Sequence, residues 1–115
     1  VAFGPAISGQ HYQVGDDVVD AISNSLEADP SGGMASSGLL QTTKVLLPDD
    51  EPRRHRLDIR GAAALQLQQH GLDSNQISDC PLCTLSEPNL FHSWRRDHVK
   101  AVQWSGIVAQ APATI

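Results

Sequence analysis

Apolar positions recur at helical spacing in two parts of the chain. Val18, Val19, Ile22 and Leu26 fall on one side of a 3.6-residue helix, with Asp16 and Asp17 at its positive N-terminal end. Asp29-Pro30 is expected to stop this helix, because the residue before a proline is pushed out of the helical region. Ile59, Ala63 and Leu67, flanked by Ala62 and Leu65, form a second stripe. Leu57-Asp58 supplies its hydrophobic staple and N-cap, and His70-Gly71 its end.

Four stretches read as strands instead. Residues 1–7 run into a Gly4-Pro5 turn at a sheet edge, where a proline without an N–H is tolerated. Residues 39–47 and 77–80 are short apolar candidates, and 99–108 is apolar at Val99, Ala101, Val102, Trp104, Ile107 and Val108. The stretch around 30–38, rich in Ser and Gly and without a period, reads as a flexible loop. Residues 48–56 read as a charged, solvated connection that leaves Arg53, Arg54 and Arg56 on the surface. The predicted class is α+β, a mixed sheet with two amphipathic helices.

Length and charge narrow the options. A chain of 115 residues with 40% hydrophobic content buries one modest core, so it is one domain or part of one. Val1 rather than Met opens the chain, as expected of a piece of a longer reading frame. Eight basic against thirteen acidic side chains give a net charge of −5, which disfavours nucleic acid, whose binding requires neutralised phosphates. Neither a membrane-spanning apolar run nor a secretory leader is visible, and two cysteines fit a reducing compartment. The expected location is the cytoplasm.

Chemistry-bearing residues concentrate between Cys80 and Asp97. Cys80-Pro81-Leu82-Cys83 has the spacing of half a zinc knuckle, which His92 and His98 would have to complete through the fold. Structural thiols are the simpler reading of both cysteines. Arg95-Arg96-Asp97 places two guanidinium forks beside a carboxylate that can fix one and leave the other for an anion, with Ser93 as a further donor. On a strand the two arginines would face opposite sides. His11, His55, His70, His92 and His98 are dispersed, Trp94 and Trp104 read as packing anchors, and Gly32-Gly33 lacks the Lys-Ser/Thr companions of a phosphate loop.

The run from Cys83-Thr84 to Phe91-His92-Ser93-Trp94-Arg95-Arg96-Asp97 resembles the C-terminal signature of the YfiH-like family, also called laccase-domain or polyphenol-oxidase-like proteins. In that signature C-T precedes F-F-S-x-R-R-D. Gly4-Pro5-Ala6-Ile7 with Tyr12-x-Val14-Gly15-x-x-Val18 is similar to the family's G-P-A-I and V-G segment, and Leu57-Asp58-Ile59 to its L-D helix. His92 stands where the family commonly has Phe, and the T-G-R that often follows Asp97 is replaced from His98 onward.

The resemblance implies the C-terminal half of a YfiH-like fold belonging to a zinc-dependent purine nucleoside phosphorylase and adenosine deaminase-like enzyme. It implies purine nucleoside and phosphate as substrates and the missing N-terminal half as partner. The family's metal-ligand motifs, A-D-C and H-A-G-W-R-G, do not occur here, so no zinc ligand and no catalytic residue is assigned and the fragment alone is expected to be inactive and metal-free. Arg95, Arg96 and Ser93 are then the candidate substrate or anion contacts, and Asp97 and Cys83 a structural clamp. Half a domain would expose an apolar face and self-associate. The alternatives are a non-catalytic binding or regulatory module and a small Cys/His zinc module.

Overall fold

Leu40 and Leu57 have no exposed surface, and the fold is organised around them. The structure is a computed structural model that describes residues 1–26 and 36–110. In chain order its elements are β1 (Ala2–Phe3), a 3-10 turn (Gly9–His11), β2 (Gln13–Gly15), α1 (Asp16–Asn24) and α2 (Ser36–Thr42). There follow β3 (Leu46–Pro48), β4 (Arg54–Leu57), α3 (Ile59–Gln69), a 3-10 turn (Ser74–Gln76), β5 (Ser78–Asp79) and α4 (Trp94–Asp97).

Parallel and antiparallel pairing both occur, as an α+β chain allows, but in two separate sheets. The antiparallel sheet has the order β2-β4-β3, with Val14 opposite His55 and Leu47 opposite Arg56. The parallel pair joins Ala2 to Ser78 and Phe3 to Asp79, and an isolated bridge continues it from Ala6 to Cys83. The core is one cluster of Val14, Val19, Leu26, Leu40, Val45, Leu46, Leu57 and Ala62, contributed by α1, α2, α3, the three-stranded sheet and the segments that follow α1 and α2.

Both predicted amphipathic helices form for local reasons. Gly15 precedes α1, whose first turn carries Asp16 and Asp17. The Asp58 carboxylate caps α3 by accepting from the Gly61 amide at 3.1 Å, and Gly71 leaves the helix at φ 101°. α1 ends earlier than expected, at Asn24, where the Ser25 hydroxyl donates to the Ile22 carbonyl at 2.6 Å. The Asp29-Pro30 stop lies outside the described residues, as do residues 30–35 of the predicted loop, and α2 begins at Ser36.

Three expectations are corrected. Leu39 and Leu40 are helical, not extended, because a helical turn buries Leu40 against α1; extended chain begins only at Leu46. The charged connection at 48–56 is the β3–β4 hairpin, and its Arg54–Leu57 segment is the central strand of the sheet. Its polar side chains are paired at the surface: Arg56 Nε with Asp49 Oδ2 at 3.1 Å and His55 Nε2 with Asp16 Oδ1 at 2.8 Å.

The third correction concerns 99–108, which forms no strand: it pairs with neither sheet, and its apolar side chains stay exposed instead of packing on the described residues. Its polar residues are the tethered ones. Gln103 exchanges hydrogen bonds with the His92 backbone at 3.0 and 3.2 Å, and Ser105 lies against Gly4, where an added Cβ would meet its hydroxyl at 2.6 Å. Its apolar residues face outward: Val102, Trp104 and Val108 are 74%, 92% and 84% exposed.

Among the described residues no helix is long and apolar enough to cross a membrane.

Candidate functional site

Ser93 starts the short helix that carries the two arginines. It is buried, with extended backbone, and its Oγ accepts from the Arg96 amide at 3.3 Å, an N-cap arrangement. The R-R-D run is therefore one helical turn and not a strand. The arginines still diverge, because successive helical residues point about 100° apart.

Arg96 turns inward. A guanidinium has five N–H donors, and all five of Arg96 are committed. Nε and Nη2 reach the two Asp97 oxygens at 3.0 and 2.8 Å, Nη1 donates to the Thr84 and Leu85 carbonyls at 2.9 and 3.0 Å, and Nη2 also donates to the Phe91 carbonyl at 2.8 Å. The hydrogen bonds between them, reinforced by their opposite charges, hold Asp97 below the usual carboxylate range and raise Arg96 further. No donor is left for a ligand. Arg96 clamps the C-T turn to the helix, with Asp97 fixing its fork.

Arg95 turns outward. Its Nη1 donates to the Gln13 carbonyl of β2 at 2.7 Å, and its guanidinium sits 4.8 Å over the Tyr12 ring centroid. Its other donors have no partner among the described residues. The two arginines thus divide, as the adjacent carboxylate suggests: Arg95 presents an open fork, whereas Arg96 is consumed by the scaffold.

Cys83 is buried beneath the Gly4-Pro5-Ala6-Ile7 turn, and its Sγ accepts from the Ser8 amide at 3.2 Å. Burial pushes the thiol up, but hydrogen bonds from the Ser8 and Ser86 side chains and amides outweigh it and bring the pKa down to about 6. Cys80 is half-buried and both cysteines are free. Between the β1–β5 register at Phe3 and Asp79 and the Ala6–Cys83 bridge, one strand advances three residues and the other four. The segment is extended with a one-residue bulge, not the tight turn a zinc knuckle needs. Among the described residues no three His, Cys, Asp or Glu side chains converge to hold a metal ion.

Sequence reasoning missed the partners. Tyr12 and Gln13 under Arg95, and Ser8 on Cys83, lie more than seventy residues away in sequence, so no local pattern joins them. Arg60 was also missed. From the first turn of α3 it donates to the Cys80 carbonyl and, at 3.0 Å, to that of Leu82, pinning the bulge. The helical state of the R-R-D run did have a local signal in Ser93, a good N-cap residue directly before Trp94.

A family model described as multi-copper polyphenol oxidoreductase laccase matches residues 1–110. The chain is 40% identical over 113 residues to a purine nucleoside phosphorylase of Synechocystis sp., covering 95% of this chain and 43% of that protein. It is 38% identical over 111 residues to the purine nucleoside phosphorylase YlmD of Bacillus subtilis, covering 96% of this chain and 34% of that protein. Among solved structures, YlmD from Geobacillus stearothermophilus superposes with a TM-score of 0.66 at 32% identity, over 84% of this chain and 31% of that one. Bacillus licheniformis YfiH gives 0.65 at 33%, over 84% and 32%. The chain thus spans less than half the length of these relatives.

Proposed function

The chain belongs to the multi-copper polyphenol oxidoreductase laccase family, the YfiH-like proteins, and we propose that it is the C-terminal portion of a purine nucleoside phosphorylase. The observation that carries this reading is a match running almost the whole length of the chain to two proteins bearing that name, at 40% and 38% identity. In phosphorolysis a phosphate oxygen forms a bond to the sugar's anomeric carbon while the bond to the purine nitrogen breaks, and the leaving base takes up a proton. We assign Arg95 to the phosphate. Its fork is open, it is anchored by Gln13 and Tyr12, and holding phosphate in place removes much of the entropic cost of bringing two substrates together.

Arg96, Asp97, Ser93 and Cys83 serve by positioning: they lock the C-T turn, the Gly4-Pro5 turn and α4 into one unit from which Arg95 projects. The donor set present here does not fit a metal, because Cys83 Sγ is engaged by Ser8 and no three ligating side chains converge among the described residues. The zinc and the adenosine deamination that the resemblance implies therefore belong, in this reading, to the upstream portion found in the longer relatives. That portion is the proposed partner, and without it the chain is inactive. The outward-facing apolar residues of 99–108 support this, since a strand-like sequence with Trp104 at 92% exposed is left without a packing partner among the described residues. Two free cysteines support a cytoplasmic location.

The assignment of Arg95 is tested by joining this chain to the upstream portion of the Synechocystis relative and substituting Arg95→Gln. The KM for phosphate should rise at least about tenfold with the nucleoside KM little changed; an unaltered phosphate KM removes Arg95 from the site.

A further inference from the structure

The end of α2 and the β3–β4 hairpin line an open groove of about 880 Å³. Leu47, Pro48 and Pro52 give it an apolar wall, and Lys44, Arg53 and Arg54 a cationic one. Lys44 and Arg53 both adopt φ 60°, the left-handed region where glycine or asparagine is the usual occupant. Two turn positions that favour a small neutral residue thus carry cations, on the same groove.

The groove's charges are unequally satisfied. Asp49 is fully occupied: it accepts from the Glu51 amide at 2.8 Å, from Arg56 at 3.1 Å and from Gln13 at 3.2 Å, contacts that hold its carboxyl below the usual range. His55 is tied to Asp16 at 2.8 Å. Glu51 lies 3.4 Å from the Gln13 amide and only 4.0 Å from Arg54. The Lys44 and Arg53 side chains have no hydrogen-bond or ion-pair partner among the described residues. Asp49 is therefore spoken for and Glu51 only loosely held, while two of the groove's cations have no partner among the described residues.

The neighbouring strand edge argues against an extended peptide as occupant. β3 is three residues long and ends in Pro48, which has no N–H, so it offers almost no ladder. The groove's volume instead lies within the usual range for small-molecule sites. Two unpaired cations are matched best by a dianion, and the wall of leucine and prolines by an apolar body.

We propose that this groove binds a compact organic phosphate monoester, its phosphate between Lys44 and Arg53 and its apolar body against Leu47 and Pro52. The site is separate from Arg95 and does not depend on the phosphorylase reading. It is tested by amide NMR titration of the 115-residue chain with phenyl phosphate, with phenol and inorganic phosphate as separate probes. Phenyl phosphate should give saturable shifts at Lys44, Leu47 and Arg53, phenol none, and inorganic phosphate binding at least about tenfold weaker for want of the apolar contact. Lys44→Gln with Arg53→Gln should weaken phenyl phosphate at least about tenfold, as two charge-assisted contacts predict. Arg53→Gly keeps the left-handed turn while removing the charge, and it should weaken binding as well. Absence of saturable shifts, shifts centred on Arg95, equal binding of inorganic phosphate, or unchanged affinity in either variant overturns the proposal.

Discussion

The amide of Ser8 donates to the Sγ of Cys83 at 3.2 Å, joining residues 75 apart in sequence. This contact ties the Gly4-Pro5 turn to the C-T turn and, with the Ser86 hydrogen bonds, stabilises the thiolate over the thiol. The folded-state pKa, about 6, lies below the ordinary thiol value of about 8.5. Its contribution to stability is therefore fully present above about pH 8.5, declines below that, and is lost as pH falls through about 6. With Cys80→Ser removing the second free thiol, ultraviolet thiolate absorbance should titrate near pH 6 in the folded chain, and Cys83→Ser should flatten the rise in stability between these limits. A titration midpoint at the ordinary thiol value would show that Ser8 and Ser86 do not hold the anion.

Arg96→Lys should lower the melting temperature by several degrees, because an ammonium has three donors in place of a planar fork that reaches Asp97 and three carbonyls at once. Arg95→Ala, which removes one carbonyl contact and one ring contact at the surface, should change stability by no more than about 0.5 kcal/mol. Thermal melts of the two variants side by side check the division of roles; equal losses would contradict it.

Leu57→Ala should cost about 3 kcal/mol, since the residue has no exposed surface and its removal leaves a cavity in the single core cluster. Asp58→Ala, one position later, should cost about 1 kcal/mol through loss of the α3 cap. Urea denaturation measures both, and a Leu57→Ala loss no larger than that of the cap variant would mean that this core carries little of the stability.

How much of this was legible in the sequence depends on how local the determining interactions are. α1 and α3 were readable because period, acidic first turn and Asp58 cap lie within each segment. β4 was not, because Arg54, His55 and Arg56 look like solvent-facing residues until β2, β3, Asp16 and Asp49 are beside them. The apolar run at 39–47 was ambiguous between helix and strand, as short apolar runs are. Residues 99–108 were misread for the opposite reason, since a strand-like pattern makes a strand only where another segment pairs with it, and neither sheet does so here. At the site, the R-R-D and C-T motifs are visible in the sequence, but only geometry tells which of the two arginines keeps an open fork, Arg95, and which is committed, Arg96.

The same 99–108 stretch makes a prediction about association. With Val102, Trp104 and Val108 turned outward, the chain alone should self-associate with rising concentration, and Val102→Ser with Trp104→Ser should shift it toward monomer in sedimentation velocity. A monodisperse wild-type monomer with a sharp melting transition would count against an uncovered apolar face.

The most direct test of the phosphorylase reading replaces the matching portion of the Synechocystis purine nucleoside phosphorylase with this chain and measures phosphate-dependent release of purine base from inosine and adenosine. The account predicts that the joined protein releases base only when phosphate is present, while the 115-residue chain alone releases none. A joined protein that folds, as judged by a cooperative melt, yet releases no base would contradict it, as would phosphorolysis by the isolated chain.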